Sequence, residues 1–120
     1  MANQQAKGIQ RLRNAMQFSI AGFKATWQHE EAFRQEVLLL IAACPAAFFF
    51  AENSIEVLFL ISSIILVLLM ELLNSAIETA IDRISLEQHE LSGRAKDIGS
   101  AAVMLSIILA IIIWLVILFF

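Results

Sequence analysis

The chain has 120 residues, of which 60% are hydrophobic and 16% charged, with a mean hydropathy of +0.81. Soluble domains are usually about 45–50% apolar and about 25% charged, so the composition excludes an ordinary soluble domain and indicates a membrane protein. The net charge of −3, without a long basic run, argues against nucleic acid as a partner. The single cysteine, Cys44, has no partner for an internal disulfide.

The first predicted element is an amphipathic helix over about residues 5–30. Its apolar residues recur at spacings of three and four, which is one face of a helix: Ile9, Leu12, Met16, Ile20, Phe23 and Trp27. The basic residues fall largely elsewhere, and such a helix is typical of a membrane surface. A helix packed on a soluble partner is the alternative. We expect no cleaved secretory signal, because residues 1–17 lack an apolar core.

Three apolar regions follow, and each is predicted to be a membrane-spanning helix, over about residues 31–51, 55–81 and 93–119. A bilayer core of about 30 Å needs about 20 helical residues, and backbone groups in lipid must be hydrogen-bonded within their own segment. Pro45 lies inside the first span, where it is tolerated and predicted to kink the helix. The chain is therefore predicted to be a single all-α membrane domain covering residues 1–120.

The basic residues indicate how the spans are oriented. Five of the eight Lys and Arg residues precede the apolar run that begins at residue 37, and three lie within residues 82–99. None lies in the loop at residues 52–56 or at the C-terminus. The positive-inside rule then places the N-terminus and the loop of residues 82–99 in the cytoplasm, so the polar clusters are predicted to lie on the cytoplasmic face.

A polar stripe runs along the cytoplasmic half of the second span. At about 100° per residue, five polar side chains share one face: Glu71, Asn74, Ser75, Glu78 and Asp82. Glu71 is the deepest and lies about 10 Å from Glu78 along the axis, at about 1.5 Å per residue. A charged residue in a membrane helix costs about 2.5–3.5 kcal/mol on insertion scales, so the stripe indicates function. A carboxylate that only fixes helix packing is the alternative.

A second acidic group, Glu30, Glu31 and Glu36, lies where the first span begins. Carboxylates from two helices are ligands that Mg²⁺ prefers, with waters and substrate phosphates completing its shell. A solvated acidic collar is the alternative. The depth of this group matches that of Glu78 at the cytoplasmic boundary, so the two are a candidate carboxylate pair for a divalent metal.

The third polar element covers residues 87–102, with acids and cations followed by small residues. Ser92 or Gly93 is predicted to open the third membrane helix, so that free backbone N–H groups, Arg94 and Lys96 lie near an anion. A deep base, a metal site and phosphate-binding cations are the components of phosphoryl transfer. An acceptor that reaches Glu71 would come from the bilayer, which indicates a lipid alcohol.

Three stretches, EEAFRQE, ELLNSAIETAIDR and HELSGRAKDIGSAAV, resemble the small integral-membrane diacylglycerol kinases of bacteria, and the resemblance extends from about Gly8 to Trp114. It implies an inner-membrane enzyme that uses Mg²⁺ and ATP to convert diacylglycerol to phosphatidic acid in phospholipid recycling. It also implies a homotrimer whose active sites are shared between subunits. The undecaprenol kinases share the Glu-x2-Asn-x3-Glu stripe and are the alternative within this class.

The resemblance also implies roles for individual residues. Glu71 matches the catalytic base, and Glu30 and Glu78 match the carboxylates that hold the metal. The residues that match the family's nucleotide-contacting positions are Arg11, Phe18, Glu30, Glu78, Glu87, Gln88, His89, Lys96 and Asp97. The residues that match the family's lipid-contacting or site-lining positions are Arg11, Ala15, Ser19, Ala32, Phe33, Arg34, Gln35, Glu36, Glu71, Asn74, Ser100 and Trp114.

Three positions depart from the usual family pattern. Phe18 stands where Tyr is frequent, so a hydroxyl contact to the nucleotide is lost there; Ile20 replaces a frequent Trp, and Asn14 a common cation. Two readings from other classes are a small proton-coupled transporter and a structural or regulatory membrane subunit. A transporter's acid belongs near the midplane, whereas these acids crowd one face, which favours the kinase.

Overall fold

The structure is a computed structural model that describes residues 7–120. This part of the chain contains no strand and four α-helices: α1 (Gly8–His29), α2 (Glu31–Phe50), α3 (Ser54–Ile84) and α4 (Glu90–Phe119). α2, α3 and α4 are each long and apolar enough to cross a membrane. The predicted all-α fold, with an N-terminal helix followed by three membrane-length helices, is therefore confirmed.

The helices belong to two compact units, one ending at Glu31 and the other covering Ala32–Phe120. In the first unit, α1 begins at Gly8, whose φ of +61° lies in the left-handed region that favours glycine. No residue of α1 is buried, and its apolar side chains, such as Ile9, are exposed. An exposed apolar face of this kind suits a membrane surface. The organisation as a single domain stays a prediction.

Side-chain caps hold the short turn between α2 and α3. Asn53 Oδ1 accepts a hydrogen bond from the Glu56 backbone N–H at 2.9 Å, and Glu56 Oε1 accepts one from the Glu52 N–H at 3.2 Å. These bonds satisfy backbone donors that a helix start leaves free. Before the turn, α2 runs as a helix on both sides of Pro45.

α3 and α4 pack against each other as antiparallel neighbours. Trp114 Nε1–H donates a hydrogen bond to Ser63 Oγ at 3.1 Å. About five turns away, Lys96 Nζ contacts Asp82 Oδ1 at 2.8 Å. The residue numbers rise along one helix as they fall along the other, so these two contacts define one register. This register sets the polar residues of α3 against the first turns of α4.

α2 joins this pair through small side chains. Ala43 of α2, Ile64 and Val67 of α3, and Ala110 of α4 form a buried cluster. Alanine lets membrane helices approach closely, which is how such helices gain van der Waals contact. Many other apolar side chains of these helices, Leu105 among them, are exposed, as expected where a helix faces lipid or another subunit.

Two helix boundaries differ from the predicted ones. α3 runs on to Ile84, and α4 begins at Glu90 rather than near residue 93. The side chain of His89 caps α4, since its Nδ1 accepts a backbone N–H of the first turn at 3.1 Å. The prediction that Ser92 or Gly93 opens this helix is therefore wrong: the Gly93 N–H already donates to the His89 carbonyl at 2.9 Å.

Candidate active site

Three polar side chains of α3 are buried where its apolar sequence gives way to charge. Glu71 is 5% exposed, Asn74 8% and Ser75 6%. Their spacing of three and four residues places them on one face of the helix, as the stripe predicted. Burying a carboxylate and an amide in a membrane-length helix is costly. The burial therefore marks this face as the centre of the candidate site.

α2 brings a second carboxylate to this face. Glu36 is half-buried and lies within electrostatic reach of Glu71. Within residues 7–120, Glu36 Oε2, Asn74 Oδ1 and Ser75 Oγ are buried without a hydrogen-bond partner. Buried polar atoms nearly always have such partners. A bound ligand or a second subunit would supply them.

A chain of polar contacts leads from the buried cluster toward the end of α3. Asn74 Nδ2–H donates to Glu78 Oε1 at 3.2 Å, and Glu78 is half-buried. Lys96 of α4 pairs with Asp82 and lies within electrostatic reach of Glu78. Acids and a cation therefore alternate along the seam between α3 and α4. This arrangement offers carboxylate oxygens to a cation and an ammonium group to an anion.

An open cleft of about 600 Å³ lies between the end of α3 and the start of α4. Four of the predicted nucleotide-contact residues line it: Glu87, Gln88, His89 and Lys96. Its volume falls within the range of about 300–1,000 Å³ that is usual for ligand sites. Of the other two predicted contacts on these helices, Asp97 is exposed and Glu78 half-buried, and neither is among the lining residues.

A second, apolar groove of about 450 Å³ lies among α2, α3 and α4. Glu36 and Trp114 are among its lining residues, and Glu36 is the one charged residue of this lining. Three alanines of α2 make room for the groove: Ala42, Ala43 and Ala46. Sequence reasoning missed the groove, although alanines spaced one and four residues apart in a membrane helix were a signal of close packing.

The remaining predicted residues are found at the following places. On α1, in the first unit, the exposed ones are Arg11, Ala15, Phe18 and Ser19. On α2, Ala32 and Gln35 are exposed, Arg34 is half-buried and Phe33 is 4% exposed; on α4, Ser100 is exposed. Glu30 is the extended residue that ends α1. No group of three or more acidic, His or Cys side chains that could hold a metal comes together in the described residues.

Two residues of the seam were not among the predicted site residues. Asp82 pairs with Lys96; it belongs to the predicted polar stripe, one turn beyond Glu78, but no role at the site was predicted for it. Gly99 lies against Asn74, and its only signal was the run of small residues at 99–102. Both contacts join residues that are far apart in the sequence.

Known proteins match this chain over almost its whole length. A profile of the family described as prokaryotic diacylglycerol kinase matches residues 17–118. A diacylglycerol kinase of Haemophilus influenzae is 48% identical over 113 residues, 94% of this chain and 96% of the relative. The diacylglycerol kinase of Escherichia coli strain K12 is 48% identical over 118 residues, which are 98% of this chain and 96% of the relative. The diacylglycerol kinase of Pseudomonas aeruginosa is 45% identical over 111 residues, which are 92% of this chain and 90% of the relative.

Proposed function

Because this chain belongs to the prokaryotic diacylglycerol kinase family, we propose that it transfers the γ-phosphoryl group of ATP to the hydroxyl of diacylglycerol. The products are phosphatidic acid and ADP, and the reaction serves phospholipid recycling. The observation that carries this proposal is the 48% identity over 98% of the chain to a relative named diacylglycerol kinase. The undecaprenol kinase and transporter alternatives are not favoured, because the family and these relatives carry the diacylglycerol name.

The lipid acceptor is proposed to lie in the apolar groove among α2, α3 and α4. One acyl chain would occupy the groove, while the glycerol hydroxyl would face Glu36 and Glu71. Two neighbouring carboxylates favour a ligand that donates hydrogen bonds, as a lipid alcohol does. The other lipid-contact positions enter by family match: Arg11, Ala15, Ser19, Ala32, Phe33, Arg34, Gln35, Asn74, Ser100 and Trp114.

Glu71 is proposed to be the catalytic base. Its carboxylate would take the hydroxyl proton while the acceptor oxygen bonds to the γ-phosphorus. The bond between that phosphorus and the β–γ bridging oxygen breaks, and the electron pair leaves with ADP. Burial of Glu71 supports this role, because excluding water at the acceptor limits hydrolysis of ATP.

ATP is proposed to bind in the cleft between α3 and α4. Lys96 supplies a cation for phosphate oxygens, and Asp82 holds its ammonium group toward the seam. Glu87, Gln88 and His89 supply polar groups for the nucleoside. The nucleotide contacts that rest on family match alone are Arg11, Phe18 and Asp97.

The divalent cation, Mg²⁺, is proposed to bind Glu30 and Glu78. The chemistry of Glu78 fits, because it is a half-buried carboxylate that Asn74 orients through a hydrogen bond at 3.2 Å. When bound, the ion neutralises charge on the triphosphate oxygens. Glu30 enters by family match.

We place the active site on the cytoplasmic face of the bacterial inner membrane, because the basic residues cluster on that side. The active form is proposed to be a homotrimer with shared sites. The partnerless buried oxygens of Asn74 and Ser75 support this, since a neighbouring subunit or substrate would complete them. A fully active single chain of 13.4 kDa in detergent would contradict the shared site.

A lipid phosphorylation assay tests the proposed reaction. Purified protein in mixed micelles receives Mg²⁺ and γ-labelled ATP, with diacylglycerol or undecaprenol in separate reactions. We expect the label in phosphatidic acid. Label mainly in the polyprenol would move the chain to the undecaprenol kinases, and label in neither lipid would refute the kinase proposal.

Filling the groove should weaken binding of the acceptor. Ala42 lines the groove and is exposed, so Ala42→Phe blocks space without disturbing the buried cluster. Loss of contact with two methylenes costs about 1.6 kcal/mol, at about 0.8 kcal/mol each, so the KM for diacylglycerol is expected to rise about tenfold. The KM for ATP should not change. Ile41→Phe, on the exposed surface of α2, is the matched control; equal acceptor KM values in both variants would refute the groove assignment.

A further inference from the structure

Gly99 provides space that a side chain of Asn74 occupies. Gly99 is buried in α4, and a Cβ atom placed on it would collide with Asn74 Oδ1 and lie 3.3 Å from Asn74 Cγ. A Cβ atom on Gly22 or Gly93 would meet nothing within 4 Å. Gly99 is therefore the one of these three helical glycines at which the close approach of α3 to α4 requires a residue without a side chain.

The position of the Asn74 amide depends on this space. Its Nδ2–H group donates to Glu78 Oε1 at 3.2 Å, which directs the amide toward that carboxylate. Its Oδ1 atom, in contrast, is buried without a hydrogen-bond partner among the described residues. No hydrogen bond holds the oxygen end in place, so the shape of the pocket at Gly99 determines where it lies.

We infer that Gly99 is a positioning residue for the Glu78 carboxylate and acts on it through Asn74. This inference rests on the proposed function, in which Glu78 holds the divalent cation. Groups that hydrogen-bond a metal ligand orient it, and their loss typically weakens metal affinity about 10–100-fold. A methyl group at position 99 displaces Asn74 Oδ1, rotates the amide and removes the donor from Glu78.

Binding of Mn²⁺ provides a readout that does not depend on turnover. Full-length protein in lipid micelles, with a non-hydrolysable ATP analogue, is titrated with Mn²⁺ and the free ion is measured by electron paramagnetic resonance. The variants are Gly99→Ala, Asn74→Ser, the double variant and, as a matched glycine-to-alanine control, Gly22→Ala. Gly99→Ala is expected to raise the Kd for Mn²⁺ about tenfold, and Gly22→Ala to leave it unchanged.

The double variant separates positioning from packing. Serine at 74 has no atom in the place of Asn74 Oδ1, the atom with which a Cβ atom at 99 collides, and it is too short to reach Glu78. If Gly99 acts through Asn74, the two effects are non-additive, and the double variant binds Mn²⁺ as weakly as Asn74→Ser alone. Weaker binding by the double variant than by Asn74→Ser would overturn the inference. This comparison does not require the Gly99→Ala single variant, so it tests the inference even where that variant does not fold.

The remaining outcomes distinguish this inference from the function on which it rests. Wild-type protein that binds Mn²⁺ and phosphorylates lipid, with unchanged Mn²⁺ affinity in Gly99→Ala, overturns the role of Gly99 alone. Wild-type protein that phosphorylates lipid but binds no Mn²⁺ overturns the metal assignment of Glu78 together with this inference. Absence of both activities overturns the proposed function as well.

Discussion

Glu71→Gln lowers kcat for lipid phosphorylation by about 10²–10⁴-fold, the range that a general base contributes. Glutamine has nearly the shape of glutamate but cannot accept the proton of the acceptor hydroxyl at neutral pH. The buried position of Glu71 on α3 is kept, so the KM values for ATP and diacylglycerol should change little. Initial rates over a matrix of both substrates measure kcat and the two KM values separately.

The control for this variant is another carboxylate-to-amide change. Glu52 is exposed in the turn between α2 and α3, and Glu52→Gln should retain wild-type kinetics. Turnover of Glu71→Gln within twofold of wild type would show that Glu71 is not the base. A large rise in the acceptor KM at constant kcat would instead assign Glu71 to lipid binding.

Glu78→Gln should raise the Mg²⁺ concentration required for half-maximal activity by at least about 100-fold. Loss of a group that only orients a metal ligand costs about 10–100-fold, and removal of the ligand itself should cost no less. An amide oxygen is a weaker ligand than a carboxylate, so millimolar excess Mg²⁺ should restore part of the rate. Titration of activity with Mg²⁺ at saturating ATP and lipid measures the shift.

The response to Mg²⁺ separates the roles of the two α3 carboxylates. Excess Mg²⁺ should rescue Glu78→Gln partly and Glu71→Gln not at all, because added metal cannot accept the hydroxyl proton. An unchanged Mg²⁺ requirement in Glu78→Gln would remove this residue from the metal site. Rescue of Glu71→Gln by Mg²⁺ would assign Glu71 to the metal instead.

Helix type and number could be predicted from the sequence because they depend on local properties. A membrane helix satisfies its own backbone hydrogen bonds, so apolar runs such as residues 100–120 are sufficient to predict it. The polar face of α3 was also predictable, since side chains three or four residues apart share a helix face in any tertiary context. Periodicity alone therefore places Glu71 and Asn74 together, and the structure adds that both are buried.

The start of α4 shows where local reasoning was insufficient. Ser92 and Gly93 were plausible first residues of a helix, but His89 caps it instead through its ring nitrogen. Histidine is not among the strongly preferred capping residues. The choice among nearby caps depends on the whole loop between α3 and α4, which no single short pattern describes.

The sequence by itself determined an all-α membrane chain, one polar face on its second membrane helix and the clustering of cations on one side. Only the tertiary structure showed that Lys96 pairs with Asp82, that Gly99 makes room for Asn74, and that an apolar groove is lined by Glu36. Hydropathy and periodicity are properties of a single helix. The register between two helices depends on how side chains distant in the sequence fit together, and that fit exists only once the helices have packed.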